Sequence, residues 1–126
     1  MIEPIELPEV EWIVQDNIFI KQMLLARVGT FVPQHSHKYS HASMLASGSV
    51  RVWKDDVLHG DFKAPMPISI DAGCQHTFMS LEPNTVIYCI HRVGESGEPD
   101  IEDHAVKVSE SIIEEGVTCL GQQQQQ

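Results

Sequence analysis

The residues that first suggest chemistry are histidines. Seven occur in 126 residues, and three of them, His35, His37 and His41, fall within "GTFVPQHSHKYSHASMLASG", Gly29 to Gly48. His35 and His37 are two apart, so on a strand both side chains take one face. Two imidazoles converging from one strand begin a metal site. His41 follows four residues later, and a turn or bulge through Lys38–Ser40 would swing it to the same point. A fourth candidate, His76, follows the turn-like "DAGCQ" and opens "HTFMSL". A residue at the start of a strand after a tight turn reaches into a barrel mouth. With His41 as a third imidazole, the first three histidines would make a three-nitrogen cap that leaves positions open for water or substrate. The competing reading of His35, His37 and His41 is a solvated loop without chemistry. His59 and His104 sit in polar, turn-like settings and are read as exposed residues without a role. His91 lies in an apolar strand, and alternation alone does not choose its face.

These histidines need strands to hold them. "NIFIKQMLLARV" (17–28) is apolar and long enough for one strand or two, and "GTFVPQHSH" alternates partly, with Pro33 interrupting it. "ASMLASGSVRVW" (42–53) reads as two strands around Gly48. A turn at Lys54–Asp56, a short strand before Gly60, a strand at Ile68–Ile70 and another from Gln75 follow. "NTVIYCIHRV" (84–93) is β-branched, aromatic and compact, a buried strand. Strands at this spacing indicate an all-β sandwich or barrel. After Val93 the signal changes. "GESGEPDIEDH" is an acidic loop, and "SESIIEEG" (109–116) reads as one short helix. Ser109 or Ser111 would cap it, Glu114 completes a capping box with Ser111, and Gly116 would stop it. The expected organisation is an N-terminal segment (1–17), a barrel (18–96) and a C-terminal part (97–126) of acidic loop, short helix and disordered glutamine tail.

Charge removes several function classes. Eighteen acids against eight bases give a net charge of −10, so no basic patch exists to displace counterions from nucleic acid. An anionic membrane surface is disfavoured for the same reason. No apolar run approaches the roughly 20 residues of a membrane helix. The start, "MIEPIELPEVEW", lacks the pattern of a secretory signal. Three cysteines, Cys74, Cys89 and Cys119, form no C-x-x-C pair, which points to a reducing, cytoplasmic setting. Cys89 is read as a small core residue.

The order of glycines and histidines resembles the cupin superfamily. Its first motif is glycine, five residues, His-x-His, three or four residues, Glu, six residues, glycine. Gly29, His35, His37, position 41 and Gly48 keep every spacing, with His41 where Glu is usual. The second motif runs glycine, five residues, Pro-x-Gly, two residues, His, three residues, Asn. Gly73 and His76 match its latter half, while Asp71 stands for proline and Ser80 for asparagine. Gly60 is a plausible start, although "DFKAPMPISI" is longer than the motif allows. The resemblance covers residues 18–93. It implies a single-domain double-stranded β-helix, a jelly-roll-like barrel with a short C-terminal helix. It also implies metal ligands at His35, His37, His41 and His76, and a homodimer.

Four neutral imidazoles suit Fe, Mn, Co, Ni, Cu or Zn as the divalent ion. Magnesium and calcium, which want oxygen ligands, fit poorly. Ligating imidazoles must be neutral, so metal is expected to leave below about pH 6. Residues in phase with the ligands give candidate pocket positions: Phe31, Ser43, Leu45, Phe78 and Ser80, with Tyr39 at the rim. No Arg or Lys lies on these faces, so a small, partly hydrophobic substrate is expected. Arg27, Arg51 and Arg92 are not placed by alternation. Trp12 and Trp53 are read as packing residues. Three functions follow. One is a mononuclear, dioxygenase-like oxygenase of a small organic molecule. Another is a non-redox metal-dependent lyase or isomerase, although no general base is identifiable. The last is a non-catalytic small-molecule-binding or structural barrel.

Overall fold

The computed structural model describes residues 5–32, 41–71, 73–92 and 110–124. Nine strands precede one helix among them: β1 (Glu9–Gln15), β2 (Ile18–Leu25), β3 (Phe31–Val32), β4 (His41–Ser47), β5 (Ser49–Lys54), β6 (Val57–Lys63), β7 (Met66–Ile70), β8 (His76–Ser80), β9 (Thr85–Arg92) and α1 (Glu110–Gln124). They form two antiparallel sheets, ordered β1-β2-β9-β4-β7 and β3-β8-β5-β6. Asp16–Asn17 and Asp55–Asp56, all at positive φ, turn the β1–β2 and β5–β6 hairpins. Asn and Asp tolerate that conformation, which matches the twist of paired strands.

Alternation along β2 is strict: Phe19, Lys21, Met23 and Leu25 are buried. Met23 and Leu25 meet Val32, Leu45, Val50, Val52, Ile68, Phe78, Ile87 and Cys89 between the sheets. Each large apolar side chain buried there contributes about 1.5–3 kcal/mol. A second apolar cluster lies on the outer face of the four-stranded sheet. Phe31, Trp53 and Met79 pack there against Ile112 of α1. Trp53 Nε1 donates to Glu115 Oε2 at 2.7 Å, tying helix to sheet. Trp53 is thus the packing residue expected.

Three details depart from the sequence reading. β1 falls inside the segment expected to precede the barrel, and it pairs with β2 from Glu9 to Gln15. Ser111 lies inside α1, which begins at Glu110. Gly116 does not stop the helix; α1 continues to Gln124, into the glutamine tail. A Cβ at Gly116 would stand 2.5 Å from Met79 Sδ and 3.0 Å from Phe31 Cζ, so the glycine lets helix and sheet approach. Among the described residues, no helix is long and apolar enough to cross a membrane.

Candidate metal site

One end of the barrel carries the positions of His41 and His76. β4 begins there at His41, which pairs with Ile70 at the end of β7. β5 ends there at Lys54, opposite His76 at the start of β8. Val32, the last described residue of β3, lies opposite Phe78, two residues into β8 from His76. The flanks of segment 33–40 therefore lie toward the same end as His76. His35, His37 and Tyr39 belong to that segment, outside the described residues. Among the described residues no three metal-ligating side chains come together.

His76 is 1% exposed and shares the inner face of β8 with Phe78. Its Nδ1 is buried and has no hydrogen-bond partner among the described residues. Leaving such a group unmatched costs about 1–3 kcal/mol. Burial holds the imidazole below the usual histidine range, and the nearby Lys54 ammonium adds to this. Asp71, the Cys74 backbone and Asp55 pull the other way without reversing it. His76 is therefore neutral near pH 7, the form that ligates metals. A buried, neutral imidazole with its Nδ1 unmatched at a barrel mouth fits a transition ion.

The loop before His76 is built to aim it. Gln75 N donates to Asp55 Oδ1 at 2.9 Å, and Asp55 N donates to Gln75 O at 2.8 Å. Cys74 N donates to Asp71 O at 3.3 Å. Lys54 Nζ bonds Asp71 Oδ2 at the rim. That pairing holds the Asp71 carboxyl below its ordinary range and the Lys54 amine above its own. Desolvation, followed by the negative charge and hydrogen bonding of Asp55, pushes the Cys74 thiol up, which keeps it from acting as a thiolate.

The pocket positions separate on inspection. Ser43, Leu45 and Phe78 are fully buried between the sheets. Ser43 Oγ lies 3.3 Å from Cys89 Sγ, and Cys89 is a buried residue of the interior as expected. Phe31 faces the other way, under α1. Ser80 is structural: its Oγ accepts from Thr30 N at 2.9 Å and donates to Arg27 O at 2.6 Å. Arg51 bonds Asp61 through Nε at 2.7 Å and Nη2 at 2.9 Å, and Arg27 pairs with exposed Glu6. Lys21, on a strand that carries none of the candidate ligands, is buried on the inner face of β2. Both faces of "IFIKQMLL" are largely apolar, so period two left the phase of Lys21 open. Trp12 is half-exposed and stands over the Lys21 ammonium, with Nζ 5.3 Å from the ring centroid.

No protein-family model matches the sequence. No curated protein matches it either. Solved structures do match by shape. A cupin 2 domain-containing protein from Halorhodospira halophila aligns with TM-score 0.60 at 12% identity, over 90% of this chain and 79% of that one. An RmlC-like cupin family protein with a double-stranded β-helix fold from Methanocaldococcus jannaschii aligns with TM-score 0.57 at 13% identity, over 68% and 80%. Oxalate decarboxylase from Bacillus subtilis aligns with TM-score 0.60 at 17% identity; the match covers 74% of this chain and 27% of that enzyme.

Proposed function

We propose, from a fold that is the double-stranded β-helix of the cupins, that this protein is a mononuclear transition-metal oxygenase of a small organic molecule. The observation that carries the reading is His76: interior, neutral, with Nδ1 unmatched at the end where β4 begins at His41. His35, His37, His41 and His76 would hold the ion. The Bacillus subtilis oxalate decarboxylase, similar in fold, is described with Mn(II) centres, which supports a divalent ion of that kind here.

A bound transition ion supplies redox or Lewis-acid chemistry at the mouth. The chain's own residues do the rest. The Asp55–Gln75 bonds fix the entry to β8 and so the origin of the His76 side chain. Leu45 and Phe78 keep water from the floor of the site. Among the described residues, Asp71 is a carboxylate near His76, and its partner Lys54 holds it ionised and weakly basic. An effective general base needs a pKa near the working pH. That favours oxygenase chemistry over the lyase or isomerase reading.

Purified under anaerobic conditions at neutral pH, the protein is expected to carry about one equivalent of transition metal by elemental analysis. His35→Ala should lower that content. Oxygen consumption by the Fe(II)- or Mn(II)-loaded protein is expected with members of a panel of diketones, thiols and phenols. A folded protein that retains only trace metal would refute the centre. Metal without oxygen consumption would move the reading to a lyase or a binding protein.

The small-molecule site is proposed to work in a homodimer. All seven residues of β1 are exposed, including Val10, Trp12, Ile13 and Val14, and β1 is an edge strand. An exposed apolar edge is a template for pairing unless charged or covered. Sedimentation should show a dimer that Ile13→Lys shifts to monomer. Equal sedimentation of the two proteins would remove β1 as the interface.

A further inference from the structure

Two consecutive residues of one hairpin hold both ends of the segment that joins the sheets at the mouth. Between Ile70 and His76 the backbone passes from the five-stranded sheet to the four-stranded sheet. Ile70 is the register partner of His41, and His76 is the register partner of Lys54. One end of this crossing therefore adjoins His41 and the other adjoins His76. Lys54 Nζ bonds Asp71 Oδ2 at the first end, beside Ile70. Asp55 holds the second end, beside His76. Its Oδ1 accepts from Gln75 N at 2.9 Å, and its own N donates to Gln75 O at 2.8 Å. Asp55 does this from a positive φ of 48° in the turn of the β5–β6 hairpin. Within the crossing, Cys74 N reaches Asp71 O only at 3.3 Å, beyond the usual range for such a bond.

A shared ion makes a strict demand on that crossing. Packed sheets stand about 10 Å apart. Two nitrogens on one ion each lie about 2.0–2.1 Å from it, so they are at most about 4.2 Å from one another. Ligand sets are held to within about 0.5 Å where they work well. A short segment between two sheets has more freedom than that unless its ends are tied. The Lys54–Asp71 pair is half-exposed, and an exposed ion pair contributes little to folding. Its place, rather than its strength, is what bears on the mouth.

We infer that Lys54 and Asp55 are positioning residues for the metal centre: a two-point staple that fixes the span between His41 and His76 and so sets the affinity for the ion. The inference deepens the metal-centre reading and rests on it. Neither residue is assigned a bond to the ion. A purely electrostatic role gives the opposite results. If Lys54 acted on a dication by charge alone, its removal would relieve repulsion and tighten binding; loss of a staple loosens it. If Asp55 acted by charge alone, Asp55→Asn would weaken binding. Asparagine keeps an Oδ1 acceptor and tolerates the left-handed backbone, so a staple survives that change.

The test is a competitive titration of the metal-free proteins with Co(II) against a chelator, read by visible absorption. It is run near pH 8, about 1.5 units above the ordinary histidine pKa, so that protons do not compete for the ligands. Lys54→Met and Asp55→Gly are each expected to bind Co(II) about tenfold more weakly, the low end for residues that support ligands, and Asp55→Asn within about twofold of the wild type. Glycine at 55 keeps the positive φ and removes only the side-chain acceptor. The Co(II) absorption bands should shift in Lys54→Met and Asp55→Gly and stay in place in Asp55→Asn. Without metal, the Gln75 amide should exchange faster in Asp55→Gly than in the wild type or Asp55→Asn. If Asp55→Gly fails to fold, Lys54→Met and Asp55→Asn still decide the matter by the direction of their effects. Unchanged or tighter binding in Lys54→Met, or a tenfold loss in Asp55→Asn, would overturn the staple while leaving the metal centre standing. A wild type that takes up no Co(II) would remove the metal centre and the staple's role together, with the Gln75 amide still protected.

Discussion

His76→Leu is expected to produce a protein that holds no stoichiometric transition metal and yet, metal-free, melts at a higher temperature than the wild type. The two effects have one cause. In the metal-free barrel the Nδ1 of His76 is buried without a hydrogen-bond partner among the described residues. That mismatch costs about 1–3 kcal/mol, and leucine removes it. The shape difference returns part of the gain, typically under about 1.5 kcal/mol for a volume-conserving swap. With metal the order reverses. An ion present at a thousand times its Kd stabilises the wild type by about 4 kcal/mol and leaves the variant unchanged. Melting curves with and without added Mn(II), alongside elemental analysis, give both halves. Wild-type metal content in the variant, or a lower metal-free melting temperature, would sink the assignment of His76.

The same residue sets a pH dependence. An unfolded histidine titrates near pH 6.5, and folded His76 lies below that because it is buried and near Lys54. Between the two values the unfolded chain binds a proton that the folded one does not. Metal-free stability therefore falls as pH drops through about 6.5, and the fall ends once folded His76 also protonates. His76→Leu lacks this component, so its stability curve should be flatter over that window.

The histidine and glycine spacing made the barrel legible before any coordinates, because each motif residue answers a strict local demand. Gly29, Gly48 and Gly73 all adopt positive φ, at 83°, 81° and 77°. Strand β9 was visible because β-branched, aromatic and apolar residues dominate it, and β4 and β5 because apolar stretches flank the turn glycine Gly48. β1 was not visible: "EVEWIVQ" follows a proline-broken acidic start, and its order comes from pairing with β2 rather than from a buried face of its own. The helix was misjudged at Gly116, where close approach to Met79 outweighs the usual cost of a mid-helix glycine. Lys21 was missed because an interior lysine breaks the rule that alternation reads by.

Gly48→Ala should be the most damaging single change among the described glycines, and for a reason separable from the metal. Gly48 is where the chain leaves one sheet at the end of β4 and enters the other at the start of β5. An added Cβ would lie 2.1 Å from Thr85 Oγ1, 2.8 Å from Thr85 Cβ and 2.9 Å from Thr85 Cα. Thr85 is fully buried, and its Oγ1 donates to Glu82 O at 2.9 Å, so it has little room to retreat. Overpacking of this kind costs about 1–3 kcal/mol. The left-handed backbone adds about 1–2 kcal/mol for any residue with a Cβ. A loss of about 2–5 kcal/mol in chemical denaturation is expected. Gly73→Ala is the control: the backbone is equally left-handed, but among the described residues no atom beyond the chain neighbours lies within 4 Å of its added Cβ, so only the conformational cost applies. Gly48 lies at the barrel end opposite His76, so any Gly48→Ala protein that remains folded at low temperature should bind metal with wild-type stoichiometry. If Gly48→Ala loses no more stability than Gly73→Ala, the close packing of the sheet crossing on Thr85 is wrong, and with it the account of why a glycine stands there.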